Sequence, residues 1–135
     1  MSGVLIVDDD EDNAVSLAML LELEGLRAHF ATDGVRALDA FEQLLPDVVL
    51  LDIGLPGLDG YEVARRMRAS TCGRRALVIA VTGWTQAEVR QRSREAGCDH
   101  HLVKPVDLDR LRELLARGKI ASAAGAGGSA SGWLA

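Results

Sequence analysis

Five times along this chain a short apolar run gives way to a longer segment of helical periodicity, and this alternation restricts the fold more than any other feature. The runs are Val4–Val7, Ala28–Ala31, Val48–Leu51, Leu77–Val81 and His101–Val103. Three of them place Val, Leu and Ile on consecutive positions, the pattern of strands covered on both faces of a parallel sheet. Between them, Asn13 to Glu24 carries Ala14, Leu17, Ala18 and Leu21 on one face and stops at Gly25. Val35 to Leu45 is halted by Pro46; Gly60 to Ala69 and Gln86 to Ala96 follow, the latter ended by Gly97. Asp107 is placed to cap a last helix whose stripe is Leu108, Leu111 and Leu115. Five strand–helix pairs in strict alternation predict a doubly wound α/β domain with right-handed crossovers.

A chain of 135 residues accommodates one such domain and can bury a full core without a staple. Cys72 and Cys98 make no disulfide framework, which predicts a reducing, cytoplasmic setting. The start, MSGVLIVDDDED, passes from a short apolar stretch into acid, unlike a secretory signal, and no segment has membrane-spanning length. A net charge of -5 disfavours general nucleic-acid binding, which rewards clustered Lys and Arg, and suits cations better. From Gly118 the composition turns to Gly, Ala and Ser, so residues 1–117 read as the domain and 118–135 as a flexible tail or linker. Gly125 to Ala130 spells a dinucleotide-binding fingerprint, but without the strand before it and the helix after it that the fingerprint requires.

Ligands of open parallel sheets bind beyond the carboxyl ends of the strands, so the residues directly after each strand carry the chemistry. These are Asp8, Asp9 and Asp10 after Val7, Asp52 after Leu51, Thr82 after Val81 and Lys104 after Val103. Carboxylates gathered at one edge repel one another and resist desolvation. A hard divalent cation resolves that conflict, and oxygen donors without His or Cys favour Mg²⁺. Asp10, Glu11 and Asp12 have a simpler explanation, since acids suit a helix N-terminus. That explanation does not reach Asp52, isolated after a buried strand, or Lys104 ahead of Pro105. Cys98, His100 and His101 look superficially like metal ligands, but adjacent strand residues point to opposite faces.

The segments LIVDDDEDN (Leu5 to Asn13), VVLLDIGLPGLDGYEVARRMR (Val48 to Arg68), VIAVTGW (Val78 to Trp84) and DHHLVKPVD (Asp99 to Asp107) together resemble the receiver domain of two-component response regulators. Each is weak alone; four in order, each at a strand end, are specific. The resemblance implies a five-stranded parallel sheet flanked by five helices in flavodoxin-like order 2-1-3-4-5, and a phosphorylation-dependent switch. On it, Asp52 is the phosphoacceptor, Asp9 and Asp52 bind Mg²⁺ directly, Asp8 through water, and Gly54 through its backbone carbonyl. Thr82 and Lys104 hold phosphoryl oxygens, and Thr82 and His101 occupy the switch positions. The chain departs from the family at His101, where Tyr or Phe is usual; imidazole is smaller, polar and titrates near neutrality. Gly54 and Trp84 stand where receivers flank the path of attacking water, and Trp84 reads either as a shield over the phosphoryl group or as exposed loop packing.

The resemblance further implies a histidine kinase or histidine phosphotransfer protein as phosphodonor, and it allows a homodimer. Its wording is similar to receivers attached to hybrid kinases as well as to stand-alone regulators. A phosphohydrolase with an aspartyl-phosphate intermediate would need a second Asp two residues after the nucleophile, where this chain has Gly54. A scaffold that ignores phosphate would not need the full set of Asp8, Asp9, Asp52, Thr82 and Lys104. Nucleotide binding lacks the phosphate-loop motif. A second stripe on the first helix, Val15, Met19 and Leu23 with Leu20 beside it, reads equally as packing against the last helix and as a docking face. By family resemblance, a donor's helical bundle docks on this helix.

Overall fold

The computed structural model describes residues 3–55, 59–70, 76–83 and 87–123, with side-chain surroundings through residue 116. Cys72, Pro56, Trp84, Gln86 at the expected helix start and the stretch Gly125–Ala130 lie outside the described residues. In chain order the elements are β1 (Gly3–Val7), α1 (Glu11–Leu23), β2 (Arg27–Ala31), α2 (Gly34–Leu44), β3 (Val48–Asp52), α3 (Gly60–Ala69), β4 (Leu77–Thr82), α4 (Ala87–Glu95), β5 (His100–Val103) and α5 (Leu108–Ala123). All five strands are parallel, in the order β2-β1-β3-β4-β5. The doubly wound architecture and strand order expected from the sequence are those observed.

The two-residue period of the strands divides the core into two layers. Leu5, Val7, Val49, Leu51, Val78 and Ala80 pack with Phe41 of α2 and Val63 and Met67 of α3. Val4, Ile6, Val48, Leu50, Ile79 and Val81 pack with Ala14, Ala18 and Leu21 of α1 and Leu111 and Leu114 of α5. Consecutive apolar residues in β3 and β4 thus serve opposite faces, and both strands are buried throughout. The edge strand β2 buries only Ala31.

Aspartates start the helices. Asp10 caps α1 by accepting from the Asn13 N–H at 3.3 Å, Asp33 caps α2 through Arg36 at 2.8 Å, and Asp59 caps α3 through Glu62 at 2.9 Å. The cap at Asp10 begins α1 at Glu11, two residues ahead of the expected start. Asp107 accepts from the Asp109 N–H at 2.9 Å, as expected for the last helix.

That helix differs from expectation in two respects. Among its described side chains Leu111 and Leu114 are buried, with Leu108 and Leu115 only partly covered, so the stripe is rotated toward Leu114. It also runs past Gly118 to Ala123. A single glycine costs a helix only about 1 kcal/mol relative to alanine, and the strong helix formers Lys119, Ala121 and Ala123 follow it.

Candidate functional site

Ladder hydrogen bonds run to the last residue of each central strand and fix the edge where the site forms. The Asp8 N–H donates to Ala31 at 3.1 Å, the Ile53 N–H to Val81 at 3.0 Å and the Lys104 N–H to Thr82 at 2.8 Å. The start of α3 presses against the same edge. A Cβ on Gly60 would lie 2.5 Å from Ile53 Cα and 2.7 Å from the Asp52 carbonyl oxygen, so only glycine permits this approach.

Carboxylate oxygens of Asp8, Asp9 and Asp52 lie within 4.8 Å of one another. Asp8 and Asp52 are buried, at 9% and 7% exposure, whereas Asp9 is exposed. Lys104 reaches in from β5, its Nζ 2.8 Å from Asp52 Oδ2 and 3.6 Å from Asp8 Oδ2. The other Asp52 oxygen, Oδ1, accepts the Gly54 N–H at 2.9 Å. Asp8 Oδ1 accepts the Asp10 N–H at 2.9 Å. Thr82, 3% exposed, completes the edge at the end of β4.

The electrostatics are those of a crowded anionic site. Burial raises the Asp8 pKa above the ordinary carboxylate value; the Asp10 N–H and Lys104 oppose this, and Asp52 and Asp9 add to it. For Lys104 burial works against the ammonium, but the hydrogen bond and charge of Asp52, then Asp8, outweigh it and its pKa is raised. Three carboxylates thus gather beside one ammonium, which Asp8 and Asp52 share, and all the donor atoms are oxygens, a set that fits Mg²⁺.

Asp8, Asp9, Asp52 and Lys104 are therefore brought together as the sequence predicts, with Thr82 and Gly54 on the same edge. Asp10 serves as a cap. His101 stands apart, opposite Ala80 in the β4–β5 ladder and on the same sheet face as Thr82. Its Nε2 is buried with no hydrogen-bond partner among the described residues. Burial, then Arg90, lowers its pKa from the ordinary 6.5. Sequence reasoning missed Asn13 and Ser16, which line a cavity beside Asp8 and Asp52. Their three-residue spacing on the helix that follows the acidic run was the available signal.

A family model described as "Response regulator receiver domain" matches residues 4–116. The chain is 36% identical over 110 residues to sporulation initiation phosphotransferase F of Bacillus subtilis, covering 82% of this chain and 87% of that protein. It is 39% identical over 117 residues to the virulence sensor protein BvgS of Bordetella bronchiseptica, covering 83% of this chain but only 10% of that much longer protein. A response regulator receiver domain protein (CheY-like) from Methanospirillum hungatei superposes with a TM-score of 0.82 at 29% identity, over 93% of this chain and 99% of that one.

Proposed function

The chain belongs to the response regulator receiver domain family, the phosphorylation-dependent signalling switches of two-component systems, and we propose that Asp52 is its phosphoacceptor. The observation that carries this is the pairing of Lys104 Nζ with Asp52 Oδ2 at 2.8 Å inside a cluster of three carboxylates. An Asp52 carboxylate oxygen attacks the phosphorus of the donor; the donor's bond to phosphorus breaks, and its electron pair leaves with the donor. Asp9 and Asp52 would hold Mg²⁺ directly, Asp8 through water and Gly54 through its carbonyl. When bound, the ion neutralises charge gathering on the phosphoryl oxygens.

The chain's own residues do the rest. Gly54 N–H steadies one Asp52 oxygen, while the flexible Lys104 ammonium follows the negative charge from the carboxylate to a phosphoryl oxygen. Thr82 Oγ donates to another phosphoryl oxygen, which couples the modification to the end of β4. Gly54 offers no side chain to position water, so autodephosphorylation is slow. His101, on the face shared with Thr82, takes the second switch position.

A histidine kinase or phosphotransfer protein is the donor, with α1 as its landing helix. The exposed Met19 and Leu23 support that docking. Residues 1–117 act as the receiver, and the Gly/Ala/Ser-rich residues 118–135 serve as its tail or linker. Among the described residues no helix is long and apolar enough to cross a membrane, and the receiver works in the cytoplasm, alone or within a larger protein, with a homodimer as one arrangement of its active form.

The test uses Mg²⁺ with acetyl phosphate as a small acyl-phosphate donor. The intact protein gains one phosphoryl group by mass and Asp52→Asn gains none. Equal labelling of both proteins overturns the assignment.

A further inference from the structure

The backbone that carries Asp52 is held from two sides. On the sheet side the Ile53 N–H donates to the Val81 carbonyl at 3.0 Å, continuing the ladder past the end of β3. On the other side the Gly60 N–H donates back to the Ile53 carbonyl at 3.3 Å. The first residue of α3 therefore rests on the peptide that joins Asp52 to Ile53. A Cβ at position 60 would lie 2.5 Å from Ile53 Cα, 2.7 Å from the Asp52 carbonyl oxygen and 3.0 Å from the Ile53 carbonyl oxygen. All three are backbone atoms, so no side chain can swing aside to make room.

Neither body on which this contact bears is free to yield. Asp59 fixes the start of α3 by accepting the Glu62 N–H at 2.9 Å. Val63, Ala64 and Met67 bury the helix against the sheet, and Arg68 ties its far end to the Gly97 and Ala76 carbonyls, both at 2.7 Å. Strand β3 is buried throughout and paired on both edges, with β1 and β4. The compliant piece is the turn between them, from Ile53 into the exposed Gly54. That turn carries the Gly54 N–H, which donates to Asp52 Oδ1 at 2.9 Å, and the Gly54 carbonyl, which would hold Mg²⁺. A methyl group added at position 60 would thus be absorbed where the site is built.

We propose that Gly60 is a positioning residue for the site. The close seat of α3 on the Asp52–Ile53 peptide sets the turn at Gly54, and with it the orientation of the Asp52 carboxylate and the place of the Gly54 carbonyl. Gly60 acts through the backbone alone and contributes no group to the cation or the phosphoryl oxygens. Its consequence for phosphoryl transfer rests on the reading of Asp52 as phosphoacceptor; its effect on the turn does not.

The experiment compares Gly60→Ala with Met67→Ala in the full chain. Met67→Ala opens a cavity under the same helix roughly 10 Å farther along, at 1.5 Å per residue. Both should lower the thermal midpoint, but only Gly60→Ala should reach the site. In the metal-free protein the Gly54 amide resonance reports its bond to Asp52; it should shift in Gly60→Ala and keep its parent position in Met67→Ala. Mg²⁺ affinity by calorimetric titration should fall about tenfold in Gly60→Ala, as when a group that orients a metal ligand is disturbed, and match the parent in Met67→Ala. The initial rate of labelling by acetyl phosphate at saturating Mg²⁺ should follow the same order. Should Gly60→Ala not fold, Asp59→Ala loosens the same seat by removing the cap alone, and should move the Gly54 amide and lower Mg²⁺ affinity by less. A Gly54 resonance and Mg²⁺ affinity equal to the parent's in the variant that folds overturn the proposal. Equal losses in Met67→Ala also overturn it, because they assign the effect to lost stability. An amide shift and weaker Mg²⁺ binding in a protein that acetyl phosphate never labels would uphold the positioning role and sink the Asp52 assignment instead.

Discussion

The two ends of the sheet both hold buried ion pairs, yet they are built on opposite principles. At the amino end Arg68 reaches from α3 and commits its donors one by one. Nε donates to the Gly97 carbonyl and Nη1 to the Ala76 carbonyl, both at 2.7 Å, and Nη2 pairs with Asp99. Asp99 Oδ2 also accepts the Val78 N–H at 2.9 Å. Among the described residues the Arg68 guanidinium meets the Asp99 carboxylate, and each group also has a backbone partner. At the carboxyl end Asp8, Asp9 and Asp52 gather together, and Asp8 and Asp52 share the Lys104 ammonium. A balanced pair with fixed partners is a clamp; a cluster with surplus negative charge is suited, on the function proposed above, to receive a cation and then a phosphoryl group.

That contrast has a stability consequence. Arg68→Met should lower unfolding free energy by about 3–5 kcal/mol, the cost of removing one partner of a buried ion pair, because Asp99 is only 7% exposed in its side chain. Two carbonyls would lose their donor as well. Lys104→Met should cost less, since cations from solution can reach the acidic cluster. Urea unfolding of both variants without added divalent cation measures the difference. Equal losses would erase the distinction between clamp and receptor.

The receptor end can be probed on its own. Asp9→Ala should weaken Mg²⁺ binding roughly tenfold or more, given that even indirect partners of metal sites cost that much. The same substitution should raise the thermal midpoint of the metal-free protein, because one repelling carboxylate is gone. Calorimetric titration and a metal-free melt report the two effects. Unchanged Mg²⁺ affinity would remove Asp9 from the ligand set, whereas a lower metal-free midpoint would show that repulsion is not what the cluster stores.

The two ends were not equally legible in the sequence. A parallel sheet forces the residues after each strand onto one edge, so Asp8, Asp52, Thr82 and Lys104 could be gathered without coordinates. The consecutive apolar residues of β3 and β4 similarly announced two covered faces. The Arg68–Asp99 clamp had no such signal, because its members lie 31 residues apart and no strand-end rule points an arginine on α3 toward the start of β5. Gly60 read only as the start of a helix, yet its role is close approach to Ile53, a matter of how α3 seats on the sheet. The rotation of α5 toward Leu114 was hidden because its sequence offers two overlapping apolar stripes, and tertiary packing selected one. At the site itself, the run of five acidic residues from Asp8 to Asp12 divided between cluster and cap only once the helix start was known.

The smallest expected effect lies between the two ends, at His101. Its imidazole is held below the ordinary pKa of 6.5, first by burial and then by Arg90. A base whose folded pKa is depressed contributes stability that is present above the unfolded value and lost as pH falls through the folded one. Parent stability should therefore decline on acidification from neutrality, below about pH 6.5. His101→Phe removes that proton site and the buried Nε2 without a partner. The variant should show a shallower decline over the same range, with the other histidines and the carboxylates contributing equally to both proteins. Urea midpoints taken at closely spaced pH values give the difference curve. If the two curves run parallel, His101 carries no titration-linked stability, and the face it shares with Thr82 is set by packing alone. A parent curve that falls away from the variant's on acidification would show that protonation of this ring opposes its buried position, which makes position 101 sensitive to pH in a way that Tyr or Phe could not be.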